Sequence, residues 1–253
     1  MARTFNGTDE SLTNTTFDLE YWSGALSGHL WAANDGSGTS CALFSSTSTG
    51  SYGLAFNYET YNNTGKVGIT YLNVADYASS LAMPGSSGGY VGFSQTTGSG
   101  SGTGYCYVNG VQSNAISLGT VRTDGGVIDG LFIGGIKRAA TAYSASTQAE
   151  LALWDAVLTP AEFAALGKGM CPLLIRPSSL ILYVPMIRGV DGSTGDERDL
   201  VGGASFAQAN NPTVAAHPRV IYPRRRSIIV PTSAPASSPV PILMHHYRMQ
   251  RVN

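Results

Sequence analysis

The chain has 253 residues, with 31 Gly, 12 Pro and 3 Cys, 43% hydrophobic residues and only 12% charged ones. That length holds one large β domain with extensions, or two small domains, and it buries an ample core without metals or disulfides. The net charge of −1 conceals an asymmetry: all 16 acidic residues and 9 of the 15 basic ones precede residue 200, giving −7, whereas residues 200–253 carry six Arg and no acid, giving +6.

Ala2-Arg3-Thr4-Phe5-Asn6-Gly7 runs straight into a first strand, and no charged-then-apolar leader stands before it. Synthesis in a cytoplasm and a chain without a membrane span are expected. Strand-like runs follow at 19–30, 40–44, 52–58, 66–72 and 90–95, separated by Gly/Ser/Thr stretches such as 45–51 and 96–104 that read as loops. Residues 105–111 place an Asn109-Gly110 turn between β-formers, the strongest short-range hairpin signal. An apolar run at 126–136 ends in Gly134-Gly135. Within 148–154, Ala149, Leu151 and Leu153 alternate with Glu150, Ala152 and Trp154, as in a strand with two differently packed faces. Thr159-Pro160-Ala161-Glu162 predicts a short helix at about 160–167, with Thr159 as cap, Pro160 at the first helical position and Glu162 closing a capping box. Gly167 and Gly169 end it. Residues 180–187 form a further strand, whose Pro185 confines that end to a sheet edge or bulge. A polar turn at 191–199 leads to 200–206 and 213–216, which supply the last strands, returning beside the first. From Pro218 the chain changes character: six prolines up to Pro241 separate the apolar beads Val220-Ile221-Tyr222, Ile228-Ile229-Val230 and Ile242-Leu243-Met244. An ordinary disordered tail is poor in such beads, so an extended arm with adhesive points is expected. The predicted organisation is a sandwich over 1–216 and an extended, basic, Pro-rich arm over 217–253.

Tyr107-Val108-Asn109-Gly110, then Ile133-Gly134, Trp154-Asp155 and Leu158-Thr159-Pro160-Ala161-Glu162 form a succession that resembles the C-terminal half of LamG-like (concanavalin A-like) jelly-roll domains. Phe5-Asn6-Gly7-Thr8-Asp9 resembles the opening of the same domains. The resemblance covers roughly residues 3–170 and implies an all-β jelly-roll sandwich with one short helix. Leu180-Ile181-Leu182-Tyr183-Val184-Pro185-Met186 resembles a strand that opens many such domains, but here it follows the helix. That order, continuing into Ala216-His217-Pro218-Arg219-Val220-Ile221-Tyr222-Pro223, resembles proteins encoded by tailed bacteriophages and prophages. It implies a virion component made in the cytoplasm of a bacterial host.

Retaining glucanases of this architecture resemble one another in a Glu-x-Asp-x-x-Glu strand that sets two carboxylates about 5 Å apart. Here only Glu197-Arg198-Asp199 begins that pattern, and Gly202 stands where the second Glu would be. The four histidines (His29, His217, His245, His246) accompany no Gly-x-Ser-x-Gly elbow, so no catalytic residue and no cofactor are expected. Cys41, Cys106 and Cys171 are too scattered for a disulfide framework or a zinc site, and Cys106 reads as a buried small apolar residue. Asp124, Asp129 and Asp191, with Asp196 and Asp199, offer oxygens to calcium, although turn aspartates need no ion to explain them. Tyr58, Tyr61 and Tyr71, with Trp22 and Trp31, could stack on sugar rings, whereas both of those tryptophans also fit a sandwich core, and Trp154 packs under the helix. Tyr222, Arg224, Arg225, Arg226, Ile228, Ile229, Ile242, Leu243 and Met244 are the expected points where the arm docks on neighbouring virion proteins or other copies of the chain. Three arginines without a wider basic face argue against nucleic acid. The sequence therefore predicts a non-enzymatic phage structural protein, a capsid decoration or stabilising subunit first and a tail component second, assembling as a homo-oligomer. The alternative is a carbohydrate-binding module, on a tail or fibre, that recognises a surface glycan.

Overall fold

The computed structural model describes residues 2–17, 23–34, 42–48, 53–57, 65–98, 100–120, 128–137, 142–187 and 196–222. The chain divides into two units, Met1–Tyr222 and Pro223–Asn253, and the second lies wholly outside the described residues. In chain order the strands are β1 (Ala2–Asn6), β2 (Ser11–Asn14), β3 (Leu26–Asn34), β4 (Ala42–Ser48), β5 (Leu54–Asn57), β6 (Lys66–Tyr71) and β7 (Ala75–Ala82). There follow β8 (Gly89–Gln95), β9 (Gly102–Val108), β10 (Val111–Gln112), β11 (Ile116–Leu118), β12 (Ile128–Ile133), β13 (Gly135–Ile136), β14 (Ala142–Tyr143) and β15 (Ala145–Trp154). Helix α1 (Pro160–Leu166) and a 3-10 turn (Pro172–Leu174) precede β16 (Leu180–Val184), β17 (Glu197–Arg198), β18 (Ser205–Ala209) and β19 (Thr213–Ala215).

Two antiparallel sheets face each other. The first runs β10–β9–β8–β3–β15–β1–β19, with β11 added to β9 and β16 to β15; the second runs β17–β18–β2–β12–β4–β5–β6–β7. Alternation sends one residue in two between them: Val67, Ile69 and Tyr71 from β6, Leu54 and Phe56 from β5, and Leu151 and Leu153 from β15 all lie in one buried cluster. Phe93 of the first sheet packs on Phe44 and Phe56 of the second, with ring centroids 6.1 and 5.1 Å away. Each such ring contributes about 1.5–3 kcal/mol by leaving water. The last strands return beside the first as expected, β19 pairing with β1 and β18 with β2, although β18 begins at Ser205 where a strand was expected at 200–206.

The local signals are realised closely. Asn109 and Gly110 have φ of 49° and 81°, the paired left-handed residues of a type I′ hairpin between β9 and β10. Thr159 caps α1 in a complete capping box with Glu162, and Gly167 closes the helix. Phe163 of α1 stacks on Tyr107 at 3.6 Å, over a second apolar cluster on the outer face of the first sheet that includes Ala152 and Trp154. The Trp154 indole N–H donates to the Ile175 carbonyl, 2.8 Å away. β16 stops at Val184, one residue before Pro185.

Several expectations need correction: residues 102–104, expected in a loop, open β9, and Glu197–Arg198, expected in a turn, form β17. β4 continues through Ser48, because the backbone ladders to β5 and β12 do not depend on apolar side chains. Of the run expected at 19–30, residues 19–22 lie outside the described residues, and the strand found is Leu26–Asn34. β7, Ala-Asp-Tyr-Ala-Ser-Ser-Leu-Ala, forms although it holds few β-formers; as the edge of the second sheet it needs only one apolar face.

β15 is the pivot of the first sheet. Its residues 145–148 pair with β1, and residues 151–154 pair on the same side with β16. The change of partner coincides with a bulge against β3 between Ala149 and Ala152, where Glu150 adopts φ 60°. Among the described residues, no helix is long and apolar enough to cross a membrane.

Candidate functional site

The outer face of the second sheet carries an amphipathic recess. Register places Thr13, Phe132, Ser45, Ala55, Thr70 and Asp76 in a single row across β2, β12, β4, β5, β6 and β7. Strand alternation turns this row away from the core, because Leu12, Leu131, Phe44, Phe56 and Ile69 occupy the inward positions. Over part of the row, the β13–β14 hairpin folds back: Lys137 N–H donates to Ser45 Oγ at 3.0 Å, and Phe132 meets Tyr143 at 6.0 Å.

Beyond the hairpin, the β6–β7 turn and Ile136 enclose an open pocket of about 230 Å³. Leu72, Ile136, Ala42 and Ala55 form an apolar cluster of their own beside it, separate from the core. A polar chain leads to its wall from behind: buried Asn57 Nδ2–H donates to Thr70 Oγ1, and the Thr70 hydroxyl donates to Asp76 Oδ1, the last two lining the pocket. Asn57 and Thr70 are buried while Asp76 is exposed, so the chain leads from the protein interior to solvent. Such linked bonds polarise one another and fix the outermost group. Chemically the recess offers the apolar side chains of Leu72 and Ile136 beside the Thr70 hydroxyl and the fixed Asp76 carboxylate, which suits a ligand with one C–H face and a rim of hydroxyls.

The sequence-predicted residues fall as follows. Tyr71 is not a stacking platform: it lies fully buried in the core, donates its hydroxyl to Gln95 Oε1 at 3.0 Å and meets Tyr77 edge-on. Burial pushes its phenol well above the ordinary range, with Tyr77 adding to the effect. Its position follows from the alternation Val67, Ile69, Tyr71, which takes every second residue of β6 inward. Tyr58 and Tyr61, next in sequence after β5, lie outside the described residues, as do Trp22, Asp124 and Asp191. Asp129 belongs to β12, but its side chain lies outside the described part. Trp31 sits half-buried on β3, opposite Tyr90 in register, rather than in the inter-sheet cluster. Asp199 is consumed internally: its carboxylate accepts the backbone N–H groups of Tyr183, Val201 and Gly202. Glu197 is buried against Arg3, Nε to Oε1 at 2.8 Å. Among the described residues, no three His, Cys, Asp or Glu side chains cluster as a metal site. Tyr222 is 54% exposed, and Arg224, Arg225, Arg226, Ile228, Ile229, Ile242, Leu243 and Met244 lie outside the described residues. Residues 217–222, assigned to the arm by sequence, are hydrogen-bonded to the sandwich through Ile221, which exchanges backbone bonds with Gly169 and Cys171.

No protein-family model matches the chain, and no curated protein matches it either. Solved structures do. The chain is similar to a Bacteroides ovatus protein assigned to carbohydrate binding, at 14% identity and TM-score 0.55, over 85% of this chain and 60% of that one. It is similar to domain 4 of AbnA, a GH43 extracellular arabinanase from Geobacillus stearothermophilus, determined with arabinotriose, at 15% identity and TM-score 0.50, over 66% of this chain and 76% of that one. It is also similar to Trypanosoma rangeli sialidase, at 15% identity and TM-score 0.50, over 66% of this chain and 27% of that one. The fold is a two-sheet jelly-roll sandwich. The chain spans about a quarter of the sialidase and three fifths of the Bacteroides protein, and at these identities the likeness speaks for the fold alone.

Proposed function

We propose that this chain is a non-enzymatic, lectin-like carbohydrate-binding module whose sugar site is the pocket at the β6–β7 turn. The observation that carries the reading is the Asn57–Thr70–Asp76 chain beside the apolar side chains of Leu72 and Ile136, on the solvent-facing side of the second sheet. Its fold supports the reading by likeness to a protein assigned to carbohydrate binding and to an arabinanase domain determined with an oligosaccharide. Tyr58 and Tyr61, which follow Asn57 in sequence, are the stacking residues of this proposal. A catalytic role draws no support from the acidic residues, since Glu197 and Asp199, the only Glu-x-Asp pair, are both spent on internal bonds. The test is a glycan array probed with the full chain, with and without EDTA, followed by titration of the best glycan. Thr70→Val and Asp76→Asn should each weaken binding about tenfold, as expected for losing one hydrogen bond to a charged or polarised group. Sensitivity to EDTA would assign calcium at Asp124, Asp129 or Asp191 to the same function. Full binding by both variants would remove the pocket from the site.

A second reading, supported by the +6 C-terminal stretch and its apolar beads, keeps this module on a phage particle as a capsid-decorating or tail subunit. Deletion from Pro223 is the appropriate cut, because residues 217–222 are bonded to the sandwich. In this reading the full chain co-sediments with particles lacking it and the truncated chain does not.

A further inference from the structure

Glu150 is the most unusually held side chain in the described residues. It occupies the bulge of β15 at φ 60°, is 1% exposed, and points to the outer face of the first sheet. A left-handed glutamate in a central strand is costly and persists where its surroundings fix it. Two groups do so here: the Tyr183 hydroxyl donates to Oε2 at 2.7 Å, and His217 Nε2 stands 2.9 Å from Oε1. The same Nε2 lies 3.3 Å from the Pro185 carbonyl, and His217 Nδ1 lies 2.8 Å from the Pro218 carbonyl. With Glu150 as the carboxylate, every partner of this ring is an oxygen that can only accept. A neutral imidazole has one N–H and one lone pair, so it would turn that lone pair on a carbonyl or carboxylate oxygen; only the imidazolium satisfies both sides.

We infer that the Glu150–His217 pair is a pH-sensitive latch that ties residues 217–222, the root of the C-terminal segment, to the jelly roll while His217 is protonated. The tied stretch is short. Beyond the ion pair, it is held by the exchange of backbone bonds between Ile221 and Gly169 and Cys171, and by the Tyr90 hydroxyl donating to the Arg219 carbonyl at 2.8 Å. Among the described side chains around the latch, His217 is the one that changes charge near neutrality. His29, stacked on Tyr90, is held by burial at about 3 and stays neutral. Burial first, and the Glu150 charge second, keep Tyr90 at about 12 and Tyr183 higher still, while burial and Glu150 also raise Tyr222 and Cys171. For His217 itself, burial and the N-terminal amine oppose the charge, but Glu150 and the Pro218 carbonyl outweigh them and lift it above the ordinary value of 6.5. The sign follows: the latch is closed below about 6.5 and opens as pH rises through the elevated value.

The experiment is amide hydrogen exchange on the full chain between about pH 5.5 and about pH 9, corrected for intrinsic rates. Protection of the Ile221 and Cys171 amides should fall about tenfold or more across His217's titration, while β8 and β15 amides keep theirs. His217→Gln, which cannot be charged, should show low and pH-independent protection at the same two amides. Unchanged protection in the native chain, or the same pH dependence in the variant, would overturn the latch. Should the variant not fold, NMR titration of the His217 ring in the native chain decides instead: a value above 6.5 supports the latch, and one at or below 6.5 refutes it.

Discussion

Arg3 and Glu197 join the first strand of the chain to one of its last, 194 positions apart, in a pair that is about 1% exposed on both sides. Arg3 also donates to the Pro212 carbonyl at 2.9 Å, so its guanidinium closes the β1–β19 edge as well. A buried pair of this kind adds little over an apolar substitute, yet removing one partner strands a charge in low dielectric. Glu197→Ala should therefore cost about 3–5 kcal/mol in urea unfolding, while the double replacement Arg3→Met with Glu197→Leu should recover most of the loss. Equal instability of both variants would show that packing, not the stranded charge, sets the cost. Neither this pair nor the Glu150–His217 pair was legible in the sequence. Pairing over such separations is decided by topology, and Glu150 looked like an ordinary outward residue of an alternating strand because a bulge leaves no compositional mark.

Elements whose cause is local were readable almost to the residue. The Asn109-Gly110 hairpin and the Thr159-capped helix rest on two or three neighbouring side chains each, and both occur where expected. For α1 this gives a measurable expectation: Thr159→Ala should destabilise the protein by about 1 kcal/mol, the usual worth of an N-cap. Burial opposes the charge of Glu162, but hydrogen bonds from Thr159 and the Arg176 guanidinium outweigh it and hold the carboxyl below its ordinary value of 4.5. That contribution is present above about pH 4.5 and is lost as acid titrates the carboxylate through its lowered value, so the Thr159→Ala penalty should shrink in acid. A penalty independent of pH would place the cap's worth in the hydroxyl alone. β7 escaped the sequence reading for the opposite reason, since an edge strand of small residues is specified by its neighbour β6 rather than by its own propensity. With it escaped the pairing of Thr70 with Asp76 across the turn, and hence the polar wall of the pocket. The signal available was Asn73, a turn former midway between them that takes φ 58°.

The described residues form a jelly-roll sandwich in which α1 packs on one sheet's outer face and the other's carries an open recess. Composition and the hairpin-to-helix motif announced the sandwich; which face stays open could not be read, because it depends on where the chain after β12 and β15 folds back. The same asymmetry separates the two proposals, with sugar recognition on the second sheet and the latch on the first. The most direct measurement is therefore NMR chemical-shift mapping of the full chain with the best glycan from the array. The account predicts saturable shifts centred on Asn57, Thr70, Leu72–Asp76 and Ile136. Shifts centred on the α1 face, or no saturable shifts with any glycan tested, would contradict it.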